Sequence, residues 1–208
     1  MCRLHERALL GGGPRELLAG SHYVAWANQE GANTHPRWEY ERRSDIESRP
    51  NDFLSYECAL HIDAPVERVF AIVSDLGSSP AWAGSQHIRS IAKVTEGPIG
   101  VGTRYRSSEK ITMSYRAETE IVIYQPCELV VWISKPVGEP VPFHRWAFRL
   151  APDNGGTRLS HQVRAARASG LMGWVQRLGF LFTRPHALIP AGMERTLVNV
   201  KALAEQEG

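Results

Sequence analysis

The sequence is short of most features that would make its chemistry easy to read. It has three cysteines, Cys2, Cys58 and Cys127, with no Cys-x-x-Cys pair of the kind used in zinc sites and thiol redox centres. They read as free thiols in a reducing compartment. No apolar run approaches the ~18 residues of a membrane span. Ala8-Leu9-Leu10 and Leu17-Leu18 are separated by Gly11-Gly12-Gly13-Pro14-Arg15-Glu16, which interrupts the apolar centre a signal peptide needs. The expected location is the cytoplasm. Charge of one sign is also lacking: 24 Lys and Arg against 22 Asp and Glu leave a net charge of +2. That is too balanced for a protein whose affinity comes from neutralising phosphates, so nucleic acid is not an expected partner.

Catalytic signatures are missing as well. There is no Gly-x-Ser-x-Gly elbow, no phosphate loop ending in Gly-Lys-Ser/Thr, no His-Glu-x-x-His, and no His/Cys cluster at metal-ligand spacing. Gly100-Val101-Gly102 lacks the third glycine of a dinucleotide fingerprint and leads into a strand, so it reads as a turn. Hydrolase, kinase, metalloenzyme and NAD-dependent readings lose support, and neither a metal nor a cofactor is expected.

What is present is ordinary globular composition, 208 residues with 43% hydrophobic and 22% charged, enough for one good-sized domain and an extension. Residues 1–54 mix arginines and acids with Gly-rich and Asn-rich patches and show little periodicity. They read as a polar, weakly structured N-terminal extension, with a lid or a partner-binding arm as the alternatives. From Ser55 the pattern sharpens. Tyr56, Cys58, Leu60 and Ile62 alternate with Glu57, Ala59 and His61, the period of a strand with one buried face. Pro65 then stands at a first helical position, Glu67 lies in the first turn, and Val66, Val69, Phe70 and Val73 recur at helical spacing to about Ser74. Asp75 to Pro80 is turn chemistry, and Ala81-Trp82-Ala83 leaves room for only a short second helix before Gly84.

Beyond Gln86 the signals predict strands at about 87–94, 101–109, 112–124, 128–134, 142–151 and 156–165, with tight links that make the sheet antiparallel. A terminal helix follows, its apolar stripe carried by Leu188, Ile189, Met193, Leu197, Val200 and Leu203. Pro185 and Pro190 are expected to break or kink the chain just before it. Residues 55–208 therefore read as an α+β domain: a curved seven-stranded antiparallel sheet around a long C-terminal helix, with two short helices after the first strand.

Seven strands curved around one helix enclose more volume than the helix fills. Several inward positions are large with a polar tip, namely Tyr115, His144, Trp146 and His161. A solid core would use Leu, Ile and Val there, so the mixture predicts a hydrophobic cavity that takes a small molecule. Its walls are expected from Phe70 and Trp82 on the short helices and from Met113, Ala117, Thr119 and Ile121 on one strand. His144, Trp146 and Phe148 on another strand, with Met193 and Leu197 on the terminal helix, complete them. Met113 to Ile123 in steps of two form the inward set, opposite Arg116, Glu118, Glu120 and Tyr124.

His161, in phase with Leu159 and Val163, is the candidate for moving a proton. Tyr105 and Tyr115 are candidates for orienting an enol or carbonyl. Each has a plainer alternative: a core histidine tied to a backbone carbonyl or a tyrosine, and two wall residues whose hydroxyls reach water. Arg145 and Arg149 share the face opposite His144, unless a bulge after Pro142 aims Arg145 at a ligand. The apolar segment Leu171 to Phe182, around Trp174, reads as packing across the cavity mouth, with a lid, a homodimer contact or a transient membrane contact as alternatives.

The run Ala64-Pro65-Val66-Glu67-Arg68-Val69-Phe70, Ser74-Asp75, Trp82, Gly100-Val101-Gly102-Thr103-Arg104-Tyr105, Gln125-Pro126, Gly155-Gly156-Thr157-Arg158 and the ending Leu197-Val198-Asn199-Val200-Lys201-Ala202-Leu203 also resemble a known family. It is the polyketide cyclase/dehydrase and lipid-transport family of the SRPBCC, or START-like, superfamily, and the resemblance spans about residues 55–205. It implies a helix-grip fold with a hydrophobic cavity. The motifs are structural, and the superfamily includes aromatase/cyclases, lipid and sterol carriers, quinone-binding proteins and stress-response components. The expected ligand is a hydrophobic, oxygen-bearing small molecule, polyketide-like or lipid-like. The resemblance leaves open whether it is cyclised or dehydrated without a cofactor or is only carried or sensed.

Overall fold

The computed structural model describes residues 52–110, 114–138, 144–166 and 185–206. Most of the N-terminal extension, Met113 and the segment around Trp174 lie outside this set. The described elements are β1 (Asp52–Ile62), α1 (Val66–Ser74), a 3-10 turn (Leu76–Ser78), α2 (Ser79–Trp82), β2 (Ile88–Lys93), β3 (Arg104–Lys110), β4 (Ser114–Gln125), β5 (Leu129–Pro136), β6 (His144–Asp153), β7 (Gly156–Ala166) and α3 (Pro185–Glu205). All seven strands form one antiparallel sheet in the order β1-β7-β6-β5-β4-β3-β2. With α3 lying along β1 and α1, this is the expected α+β helix-grip fold.

Local chemistry sets the element ends. Pro65 is not the first helical residue but the cap before it, with ψ of 145°, and its carbonyl accepts from Arg68 and Val69 at 3.1 and 3.2 Å. Val69, Phe70 and Val73 put one face of α1 into the core. Asp75 then turns the chain: its Oδ1 accepts from the Gly77 N–H at 2.9 Å and its carbonyl from the Ser78 hydroxyl at 2.8 Å. Strand β3 begins at Arg104 rather than near Val101, because Gly102 has φ of +84° and the Thr103 N–H bonds back to the Gly100 carbonyl at 3.1 Å.

Two further expectations need correction. Helix α3 starts at Pro185 and continues through Pro190, so Pro190 does not break the terminal helix. Pro185 has no N–H to satisfy in a first turn, and Pro190 forfeits a single helical bond. On β4 the register shifts between Ile121 and Ile123. This bulge sends Ile123 to the outer face beside Val131 and brings Tyr124 to the helix side opposite Val130, the reverse of strict alternation.

The main core lies between the sheet and the helices. Val69, Phe70 and Trp82 meet Ile121, Val130, Trp132, Phe148 and Leu159 there, with Leu197 and Val200 from α3. A smaller cluster of Val122, Leu129, Val131 and Ala147 occupies the outer face. Cys58 is a free thiol.

Candidate functional site

Strand register determines which side chains share the helix-side face. His161 on β7 pairs with Phe148 on β6 and Cys58 on β1, and Phe148 pairs in turn with Val130 on β5. In the next row Val163, Trp146, Trp132 and Ile121 align, followed by Ala165, His144, Ser134, Thr119 and Tyr105. The alternation read from the sequence thus places His161, His144, Trp146, Phe148, Ala117, Thr119 and Ile121 on one face as expected. Strand β6 pairs without a register shift, so Arg145 and Arg149 lie on the opposite face.

His161 is 4% exposed and sits among aromatic rings. Its ring is stacked on Phe148 at 4.3 Å, with Trp146 at 5.7 Å and Trp132 at 6.3 Å between centroids. Neither ring nitrogen has a hydrogen-bond partner. Burial pushes the imidazole down to about 3, opposed only in part by the Met193 carbonyl, which approaches without reaching hydrogen-bond geometry. The side chain is therefore neutral. The aromatic row extends at both ends: Trp82 from α2 meets Phe148 edge-on at 5.7 Å, and His144 stacks on Trp146 at 5.7 Å. Met193 and Leu197 face this region from α3, both buried. Phe70 is set apart, with its ring edge-on to Tyr124 at 5.3 Å.

His144 and the two tyrosines occupy different surroundings. Burial pushes His144 down to about 4, with the Glu109 charge opposing it. It lies deep among protein atoms yet keeps accessible surface, a combination suited to a side chain that borders a hollow. The Tyr105 hydroxyl is buried without a partner, and burial, then the Asp75 charge, raises the phenol to about 12. Tyr115 instead donates to Glu109 Oε2 at 2.6 Å, while the Ser107 hydroxyl donates to Glu109 Oε1 at 2.7 Å. Burial first, and then Glu109, hold the Tyr115 phenol well above its ordinary range. His161, Tyr105 and Tyr115 share a face, but no hydrogen bond or ring contact links them.

Glu109 is the residue that the sequence reading missed. The sequence places Glu109 at the end of the strand predicted at about 101–109, beside the tight link to the next, yet β3 runs through Lys110, and the alternation Tyr105, Ser107, Glu109 is the available signal. The Cys58 thiol, beside the His161 carbonyl at 4.0 Å, is pushed up to about 11, chiefly by burial, which leaves it protonated and a poor nucleophile. Among the described residues, no three His, Cys, Asp or Glu side chains come together as a metal site, and no helix is long and apolar enough to cross a membrane.

Comparison with known proteins agrees with this architecture. The sequence profile described as "Polyketide cyclase / dehydrase and lipid transport" matches residues 55–205. No curated protein matches in sequence. Among solved structures, protein CV1439 from Chromobacterium violaceum superposes with a TM-score of 0.52 at 18% identity, over 74% of this chain and 99% of that one. The di-domain ARO/CYC protein StfQ of the steffimycin biosynthetic pathway gives 0.53 at 13% identity over 73% of this chain and 50% of its own. BexL, the di-domain ARO/CYC protein of the BE-7585A pathway, gives 0.52 at 16% over 74% and 51%. This chain spans about half the length of those two proteins. At such identities the superpositions establish the fold, while the profile covers nearly all of the described domain, and the chain belongs to the polyketide cyclase / dehydrase and lipid transport family.

Proposed function

We propose that this protein binds a hydrophobic, oxygen-bearing small molecule, polyketide-like or lipid-like, in a cavity between the helix-side face of the sheet and α3. The observation that carries the reading is His161, buried among Phe148, Trp146 and Trp132 with both ring nitrogens unpartnered. Leaving such a group unbonded costs about 1–3 kcal/mol, a cost a leucine would avoid. A ligand carbonyl or hydroxyl beside the ring removes it on binding.

The chemistry this reading supports is cofactor-free cyclisation or dehydration. The cavity holds a flexible chain in a reactive fold, an effect worth about 7 kcal/mol or more in favourable cases. Neutral His161 takes a proton from a carbon between two carbonyls and, as the imidazolium so formed, delivers it to a departing hydroxyl. Tyr105 and Tyr115 steady the developing enolate. A carrier or sensor that leaves its ligand unchanged is the second reading, and the depressed basicity of His161 is the observation that favours it.

Native mass spectrometry of the purified protein, joined to calorimetric titration with 2-acetylnaphthalene as a probe whose carbonyl can accept from the His161 ring, tests the binding reading. The wild type is expected to bind the probe or retain an oxygen-bearing apolar guest, and His161→Leu to bind about tenfold more weakly, the equivalent of one hydrogen bond. Equal affinity in the variant removes His161 from the site. A wild type that arrives empty and ignores the probe overturns the binding reading itself.

A further inference from the structure

We propose that Glu109 is the centre of a second recognition subsite on the helix-side face, one that accepts a hydrogen bond from a phenolic or enolic hydroxyl of the guest. The proposal rests on the reading that this face binds a guest, and it adds the chemical class that the guest must present at one end.

The register places Glu109 on the same side of β3 as Tyr105 and Ser107, directly opposite Tyr115 on β4. Both of its oxygens are held, one by the Ser107 hydroxyl at 2.7 Å and the other by the Tyr115 hydroxyl at 2.6 Å. These two donors are neutral. Among the described residues, no lysine or arginine forms an ion pair with Glu109, although a carboxylate on the inner side of a domain is ordinarily matched with a cation. An ionised carboxylate has about four lone-pair sites, so two well-placed donors fix its orientation and leave acceptor capacity for a third.

The surroundings carry the same signature. Thr119, Ser134 and His144 align across β4, β5 and β6 at this end of the sheet. Neither the two hydroxyls nor the imidazole makes a hydrogen bond within the described residues. Glu109 is near enough to His144 for its charge to act on that ring. Farther along the same face the rows become apolar, with Ile121, Val130, Trp132, Phe148 and Leu159. A polar belt beside an apolar wall suits an amphiphilic aromatic guest. Its hydroxyl meets Glu109, whereas a bare ether or carbonyl oxygen brings an acceptor against an acceptor and is disfavoured.

Calorimetric titration with two probes of similar size tests the subsite: 2-naphthol, which carries the donor, and 2-methoxynaphthalene, which does not. The wild type is expected to prefer 2-naphthol by about tenfold or more, the scale of a hydrogen bond to a charged group. Glu109→Gln should reduce this preference to about twofold while leaving 2-methoxynaphthalene affinity unchanged. Tyr115→Phe and Ser107→Ala, each of which removes one hydroxyl that orients the carboxylate, should give partial losses and decide the matter if Glu109→Gln does not fold. A wild type that binds both probes equally, or a preference that survives in the variants, overturns the subsite while guest binding stands. A wild type that binds neither probe overturns the subsite, and if it also arrives without a co-purifying guest the binding reading falls with it.

Discussion

His161 shows how much a single position can reveal when periodicity is read together with burial. Its phase with Leu159 and Val163 places it on the inner face, and the structure adds what periodicity does not encode: both nitrogens lack partners. An apolar side chain of similar volume should therefore suit the empty protein better. His161→Leu is expected to raise Tm by several degrees in scanning calorimetry, at ~2–4 °C per kcal/mol for a chain of this size, while weakening guest binding as described above. A lower Tm would mean that the imidazole stabilises the fold through a bond that the structure does not show. Glu109 was harder to read because a charged pair at the end of a short alternation also resembles a turn. Tyr124 was misplaced because the register shift after Ile121 leaves no trace in a pattern of period two.

At the scale of elements, the junction between α2 and β2 is one place where the terminal helix and the rest of the domain come into close contact. The Gly84 N–H donates to Thr196 Oγ1 at 2.8 Å, the Thr196 hydroxyl donates to the Gly192 carbonyl at 3.0 Å, and Asn199 Nδ2 donates to the Trp82 carbonyl at 3.2 Å. A Cβ on Gly84 would stand 2.3 Å from the Gly192 oxygen and 2.6 Å from the Thr196 nitrogen, and helical backbone cannot yield as a side chain does. Gly84→Ala should cost about 3 kcal/mol, the upper end for overpacking, seen as a lower urea midpoint with an unchanged slope. An unchanged midpoint would show that the turn moves aside freely. The glycine was legible as the end of a short helix, but its close approach to α3 was not, because that contact joins residues 112 apart in sequence.

For the whole molecule, buried His161 and half-buried His144 make stability depend on pH. Both imidazoles have folded-state values below the ordinary 6.5, about 4 for His144 and about 3 for His161. As pH falls below 6.5 the unfolded chain binds protons that the native state refuses, so stability present at neutral pH is lost towards pH 4 and below. The slope is roughly 1.4 kcal/mol per pH unit for each imidazole. At the alkaline end Tyr105, raised from 10 to about 12, reverses the bookkeeping: above pH 10 the unfolded chain releases a proton that the fold retains, and stability falls again. Urea midpoints across pH should form a plateau between these limits. A midpoint that rises on acidification from pH 6.5 to 5 would contradict the burial of both histidines. The sheet itself was the most legible part of the sequence, since consecutive strands with short links leave few topologies open. The close approach of Gly84 to α3 was less legible because it joins distant segments, whereas Glu109 and the register shift on β4 were missed for local reasons.

The side-chain ties along α3 are unevenly distributed. Among the described residues, Tyr56 to Glu194, Gly84 to Thr196, Trp82 to Asn199, His61 to Lys201 and Asp63 to Glu205 all fall at or beyond Glu194, whereas the earlier turns contain Pro190 and its missing helical bond. Such a rod is expected to open first at its proline end: deuterium should enter the amides of residues 188–192 sooner than those of 196–204, and equal exchange along the helix would show that Pro190 does not loosen it.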